Sequence, residues 1–209
     1  MGSRLILVGA GGFGRELINW AEDAAAQGGQ AFAGYLDMHA DVLAGSAYAL
    51  PWLGTPDAYV PQTGDAFVIA IGDPAGKRAV VEQLRARGAR FARLVHPSAV
   101  VARTAVLGEG VVLCPHSMVS ADARVGDFVA VNTLSSVGHD AVVGAYTTLS
   151  GHVDLTGHVQ VGEGCFFGSG ARVLPKVRVG ARARIGAGAT IMRNVAEDAT
   201  MFTMPAKKL

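Results

Sequence analysis

From Val95 onward the chain repeats every six residues, and no other feature restricts its fold as tightly. Val95, Val101, Leu107, Leu113, Val119, Val125, Val131, Val137, Val143, Leu149, Leu155, Val161, Phe167, Val173, Val179, Ile185 and Ile191 are all apolar. In a chain that is 50% apolar, seventeen such positions in a row have a chance probability of about 1 in 10⁵. Four places after each stands a small or β-branched residue, among them Ala105, Ser117, Ala123, Ser135, Thr147, Cys165 and Ala189. Glycine favours the place directly after the aliphatic, as at Gly108, Gly126, Gly144 and Gly162. Bulky and small side chains in separate columns fill a narrow prism, and glycine is expected to supply backbone conformations that a Cβ resists. Such a chain winds as a parallel β-helix. The glycine recurs most strictly after Leu107, Val125, Val143, Val161 and Val179, so three hexads close one triangular coil. Residues eighteen apart then stack at the parallel-strand spacing of ~4.8 Å.

Residues 1–93 follow a different pattern. Leu5–Val8, Phe32–Leu36 and Ala66–Ile71 have the aliphatic density of buried strands, and Phe91–Val95 leads out as another. Arg15–Ala26 and Lys77–Arg87 have helical apolar spacing, with Gly72-Asp73-Pro74 stopping the third strand and Gly88 closing the second helix. Strands alternating with helices imply βαβ units on a parallel sheet, in a segment short for a complete dinucleotide-binding domain. The organisation expected is α/β plus β: a truncated Rossmann-like unit over 1–93 and a hexapeptide-repeat β-helix over 94–209.

Composition excludes several functions. Eighteen Lys+Arg against seventeen Asp+Glu leave a net charge of +1, so no broad positive field is available for nucleic acid or anionic lipid. No apolar run approaches the ~18 residues of a membrane span. The two cysteines, Cys114 and Cys165, lack CxxC spacing, and no leader-like segment stands at the start. A soluble protein of the reducing cytoplasm is the expectation.

Two places carry chemistry. Gly9-Ala10-Gly11-Gly12-Phe13-Gly14 satisfies GxGxxG between a strand and a helix, with Asp37 ending the next strand. There, backbone N–H groups and a helix N-terminus can hold a pyrophosphate while the acid accepts from a ribose or base. The bland alternative is a tight turn without a ligand. With no second mononucleotide half, a nucleotide attached to a substrate fits better than a redox dinucleotide. On the prism, His139 and His158 project from one corner on adjacent coils, with Asp140 in the His158 column and Gly157 in the His139 column. An imidazole beside a carboxylate is a general base worth ~10²–10⁴ in rate, and a glycine N–H one coil away can polarise a thioester carbonyl. Against this stands a histidine that merely caps a corner or lines a subunit contact. His116 and His152, two coils apart on one column, are roughly 10 Å from each other, too far to share a metal within one chain.

The stretches GAGGFGRE, His96-Pro97-Ser98-Ala99, Asn132 to Ala141 (NTLSSVGHDA) and Pro205-Ala206-Lys207 together resemble the PglD/NeuD-like group of bacterial nucleotide-amino-sugar acetyltransferases. The resemblance implies a left-handed β-helix, a homotrimer, and acetyl-CoA held in the groove between subunits. It implies His139 as general base with Asp140 as its partner, and Asn132 close to the sugar. Gly157, with His158 beside it, would meet the thioester of acetyl-CoA, while Ser169 and Ala187 would line the CoA groove. Gly9, Gly11, Gly12, Gly14 and Asp37 would hold the nucleotide. Phe13, Met38, Thr148 and Met204 depart from the residues usual in that group.

The expected activity is acetyl transfer from acetyl-CoA to the amine of a UDP-, dTDP- or GDP-linked 4-amino-4,6-dideoxy sugar, with no metal. Neither cysteine is placed to carry an acyl group. The alternatives are O-acetylation of sialic acid or another sugar, a zinc protein like the hexapeptide carbonic anhydrases with histidines shared between subunits, and a nucleotide-binding scaffold without catalysis.

Overall fold

The computed structural model describes residues 4–204; the Pro205-Ala206-Lys207 motif lies outside them. Four parallel strands, β1 (Arg4–Val8), β2 (Phe32–Leu36), β3 (Trp52–Gly54) and β4 (Asp65–Ile69), form a sheet in the order β3-β2-β1-β4. Helix α1 (Gly12–Ala25) follows β1 and α2 (Pro74–Arg85) follows β4. Both helices start three residues before the positions read from the sequence. Gly9, at φ +89°, turns the chain so sharply that α1 begins inside the glycine motif. Proline is favoured in the first turn of a helix, and the Asp73 carboxylate accepts from Gly76 N at 2.9 Å, so Pro74 opens α2 rather than merely ending the strand. The short edge strand β3 has no run of its own in the sequence. Phe91–Val95 is not one strand either: Ala92 N donates to Phe67 O at 2.9 Å, whereas Leu94 N already bonds Val111 O at 3.0 Å, so the segment passes from one sheet to another.

From Leu94 the chain winds into a parallel β-helix, with the handedness read as left. Face 1 runs from Leu94–Val95 to Thr200–Met201 in seven strands, face 2 from Val100–Val101 to Thr190–Ile191 in six, and face 3 from Val106–Leu107 to Arg178–Val179 in five. Pairing is eighteen residues in register, as in Val125 with Val143 and Val143 with Val161. The hexad aliphatics pile inside with Ala123, Val129, Ala141, Val159 and Ala183 between them. Val95 is instead exposed, because it lies on the first coil with none beneath it. There the hydroxyls of Ser98 and Thr104 accept from His116 N and Asp122 N, each at 3.0 Å. On later coils the equivalent N–H bonds a carbonyl of the coil below, as Asp140 N does with Ala121 O at 3.0 Å.

The glycines after the aliphatics correct the expectation about backbone conformation. None has a positive φ; a Cβ on Gly162 would lie 2.5 Å from Ala181 N and 2.6 Å from Ala181 Cα. Glycine stands there because successive coils touch. The left-handed conformation falls two places later, and most of its occupants carry side chains, including His116, Asp140, His152 and His158.

The βαβ unit covers face 1. One buried cluster joins Ala10, Leu17 and Ala21 to Leu94, Val112, Cys114 and Ala130. At the corner between faces 3 and 1, Phe128 meets Phe91 edge-on at 4.9 Å and stacks on Tyr146 at 5.3 Å. Lys77 is buried in this contact and donates to Phe128 O at 3.0 Å, Thr148 Oγ1 at 2.9 Å and Thr147 O at 3.4 Å. No helix among the described residues is long and apolar enough to cross a membrane.

Two predictions follow from these contacts. Gly162→Ala should lower the unfolding free energy by about 1–3 kcal/mol in a urea titration, whereas Gly170→Asn should cost about 1 kcal/mol or less. Gly170 occupies a left-handed position, and an added Cβ would lie 3.9 Å from the backbone of Gly188. For Lys77, burial pushes the amine down to about 7 from the ordinary 10.5, against the raising effect of Asp73. Between those values the unfolded chain binds more protons, so stability should rise with pH across that window. Thermal unfolding of Lys77→Met from pH 7 to 10 should show this rise removed.

Candidate active site

The corner between faces 2 and 3 builds the site from two adjacent coils. Gly138 N donates to Leu155 O at 2.7 Å and His158 N to His139 O at 2.9 Å, which locks the two turns together. Asp140 at φ +58° and His158 at φ +60° hold the left-handed positions of these turns, and the prism stacks them. The side chains converge: His139 Nδ1 is 2.8 Å from Asp140 Oδ2, His158 Nε2 is 3.8 Å from the same oxygen, and the two rings meet edge-on at 5.0 Å. All three side chains are about half exposed. The hydrogen bond from His139 holds the Asp140 carboxyl below the usual carboxylate range; desolvation opposes this, and the nearby His158 adds to the lowering. A carboxylate only accepts, so Nδ1 carries the proton of this bond, and the lone pair of the neutral imidazole is therefore the one on Nε2.

Gly157 forms the floor under His139. A Cβ there would lie 2.6 Å from His139 Cε1 and 3.0 Å from Cδ2. Its carbonyl accepts from Lys176 N at 3.1 Å, and its N–H makes no backbone hydrogen bond among the described residues. His139, Asp140 and His158 are also the metal-capable group among the described residues, with donor atoms all within 4.8 Å of one another. His116 and His152 sit exposed on a different corner, separated by the coil that carries Leu134.

The other predicted residues lie elsewhere. Asn132, Ser169 and Ala187 occupy the corner between faces 1 and 2, where Asn132 Oδ1 accepts from Thr133 N at 2.7 Å and Ser169 O from Gly188 N at 2.9 Å. Gly9, Gly11, Gly12 and Gly14 form the turn after β1, at the N-terminus of α1, where no side chain caps the helix. A Cβ on Gly14 would run into the carbonyl of Gly9, so this glycine closes the helix onto the strand. Asp37 is less free than its place in the motif implies: Oδ2 accepts from Ala10 N at 2.9 Å and Oδ1 from His39 N at 3.1 Å. Its carboxylate holds the glycine turn in shape. Face 1, covered by the βαβ unit, stands between the glycine turn and the His139 corner of the same chain.

Comparison with known proteins agrees with both halves. Residues 4–84 match the PglD N-terminal domain and residues 158–193 the bacterial transferase hexapeptide (six repeats). PerB from Caulobacter crescentus, solved in complex with CoA and GDP-perosamine, is 32% identical and superposes with a TM-score of 0.86, over 98% of this chain and 96% of that one. The chain belongs to this family of hexapeptide-repeat acetyltransferases. The acetyltransferase domain of PglB from Neisseria gonorrhoeae, solved with acetyl coenzyme A, is 31% identical with a TM-score of 0.86 over the full length of both chains. The GDP-perosamine N-acetyltransferase of Escherichia coli O157:H7 is 27% identical over 148 residues, 69% of this chain and 66% of that enzyme.

Within this family fold, two residues escaped the sequence, Lys77 at the contact between the units and Trp52 on the edge strand. Lys77 resembles any helical lysine until the tertiary contact buries it. Trp52, whose Nε1 donates to Asp37 O at 3.0 Å, sits in a strand too short to read. If Gly157 must be bare for His139 to lie over it, Gly157→Ala should cut turnover by about a hundredfold, the scale of a 1 Å misplacement. Far-UV circular dichroism and the melting temperature should stay near wild type.

Proposed function

We propose that this chain transfers an acetyl group from acetyl-CoA to the amino group of a nucleotide-linked 4-amino sugar, by direct attack with His139 as general base. The observation that carries the reading is the exposed His139–Asp140 pair, 2.8 Å apart, lying on the bare backbone of Gly157. The amine attacks the thioester carbonyl while His139 Nε2 takes its proton. Asp140 holds the tautomer and stabilises the imidazolium that forms. The N–H of Gly157 is the donor on hand for the carbonyl oxygen as it becomes an oxyanion. Collapse of the tetrahedral intermediate expels the CoA thiolate, which recovers a proton from His139, and the amide product remains. Neither cysteine fits a covalent relay, since both are buried, and burial pushes the Cys165 thiol up to about 11.

The nucleotide end is read onto the glycine turn, whose helix N-terminus suits a pyrophosphate. Because face 1 divides that turn from the His139 corner, the sugar of a nucleotide held by one chain would meet His139 of another. This layout supports an oligomer, taken here as a homotrimer, with Asn132 near the sugar and Ser169, Ala187 and His158 along the CoA groove. Perosamine N-acetyltransferases of the same family act on a GDP-linked sugar, which favours a GDP sugar as the first substrate to try.

Free-thiol release should be followed with acetyl-CoA and GDP-, UDP- or dTDP-linked 4-amino-4,6-dideoxy sugars, alongside free sialic acid. One amino-sugar nucleotide should react, and His139→Ala should lower its kcat by about 10²–10⁴ with little change in either KM. Turnover that survives the substitution removes His139 as the base. Thiol release with sialic acid alone moves the acceptor to a hydroxyl.

A further inference from the structure

We propose that Trp52 is the stacking platform for the nucleobase, an inference that rests on the nucleotide-sugar reading above. In an open parallel sheet, ligands lie across the carboxyl ends of the strands. Here the order β3-β2-β1 sets three positions in line, about 4.8 Å per strand. The glycine turn follows β1, Asp37 follows β2, and Trp52 lies in β3 opposite Tyr35. With diphosphate at the helix N-terminus beside β1 and ribose near the end of β2, the base is carried towards β3.

Trp52 is built to receive it. Trp52 is 42% exposed, whereas Trp20 is partly buried and packs against the core of the same domain. Its one polar atom anchors the ring while a large part of its surface stays open to solvent. The hydrogen bond from Nε1 to Asp37 O at 3.0 Å fixes the indole beside the strand end and leaves its ring free of polar obligations. Met38, 62% exposed and next to Asp37, adds a flexible apolar flank. The Asp37 carboxylate accepts two backbone N–H groups, which take up part of its acceptor capacity, and stacking on Trp52 adds affinity for the nucleoside from a second group. Every base has a π-face, so Trp52 supplies affinity without choosing the base.

The chain has two tryptophans, so Trp20→Phe makes Trp52 the sole reporter. GDP, UDP and dTDP should be titrated against that protein by fluorescence, and against wild type, Trp52→Ala and Trp52→Phe by calorimetry. Whichever diphosphate binds should quench Trp52. Trp52→Ala should weaken it by about tenfold or more, Trp52→Phe by about threefold or less, with acetyl-CoA affinity and melting temperature unchanged. Equal binding by wild type and Trp52→Ala overturns the platform while leaving the nucleotide reading intact, and so does a parallel loss of acetyl-CoA affinity. If none of the three binds wild type, the nucleotide reading falls and this inference with it.

Discussion

Backbone meets backbone between coils eighteen residues apart, and on face 3 that contact leaves room for no side chain at the place after each aliphatic from Leu107 to Val179. Gly126, Gly144 and Gly162 stand where a Cβ would enter the next coil, and the N–H of each donates to a carbonyl there at 2.8 Å. Stacking this close makes the prism stiff. It also sets the spacing between any two side chains that project from the same corner. A loop-borne histidine and aspartate would lose entropy on every meeting; here the ladder has already ordered them.

The stiffness explains how an exposed site stays organised. Asp140 and His158 lie in left-handed backbone conformations that side-chain-bearing residues adopt only when the surroundings impose them. The interlocking hydrogen bonds of consecutive turns do so, and they aim both side chains at one point. Gly157 contributes by lacking a side chain, since a methyl group would occupy the space of the His139 ring. The site is half open to solvent, as the proposed groove between chains requires.

Much of this was readable before any coordinates. The hexad columns from Leu113 to Ile191 mark the buried prism, and the eighteen-residue ruler brings His139, Asp140, Gly157 and His158 to one corner. Less legible were places where one residue type serves two purposes. Glycine after the aliphatic reads as conformational freedom, yet it answers a steric contact between coils. Pro74 reads as a stop, yet with Asp73 it starts a helix. Asp37 fits a motif for binding ribose, yet its two oxygens hold the turn around Ala10 and His39.

The sequence by itself determined the period, the triangular coil and the identity of the corner residues, because a repeat writes its own contacts into the chain. Only the tertiary structure decided where the βαβ unit sits. That contact joins residues such as Lys77 and Thr148, which no period relates, through shape and one buried amine. By covering face 1 it parts the glycine turn from the His139 corner. Trp52 stays open for a separate reason: its strand, three residues long, is the edge of the sheet.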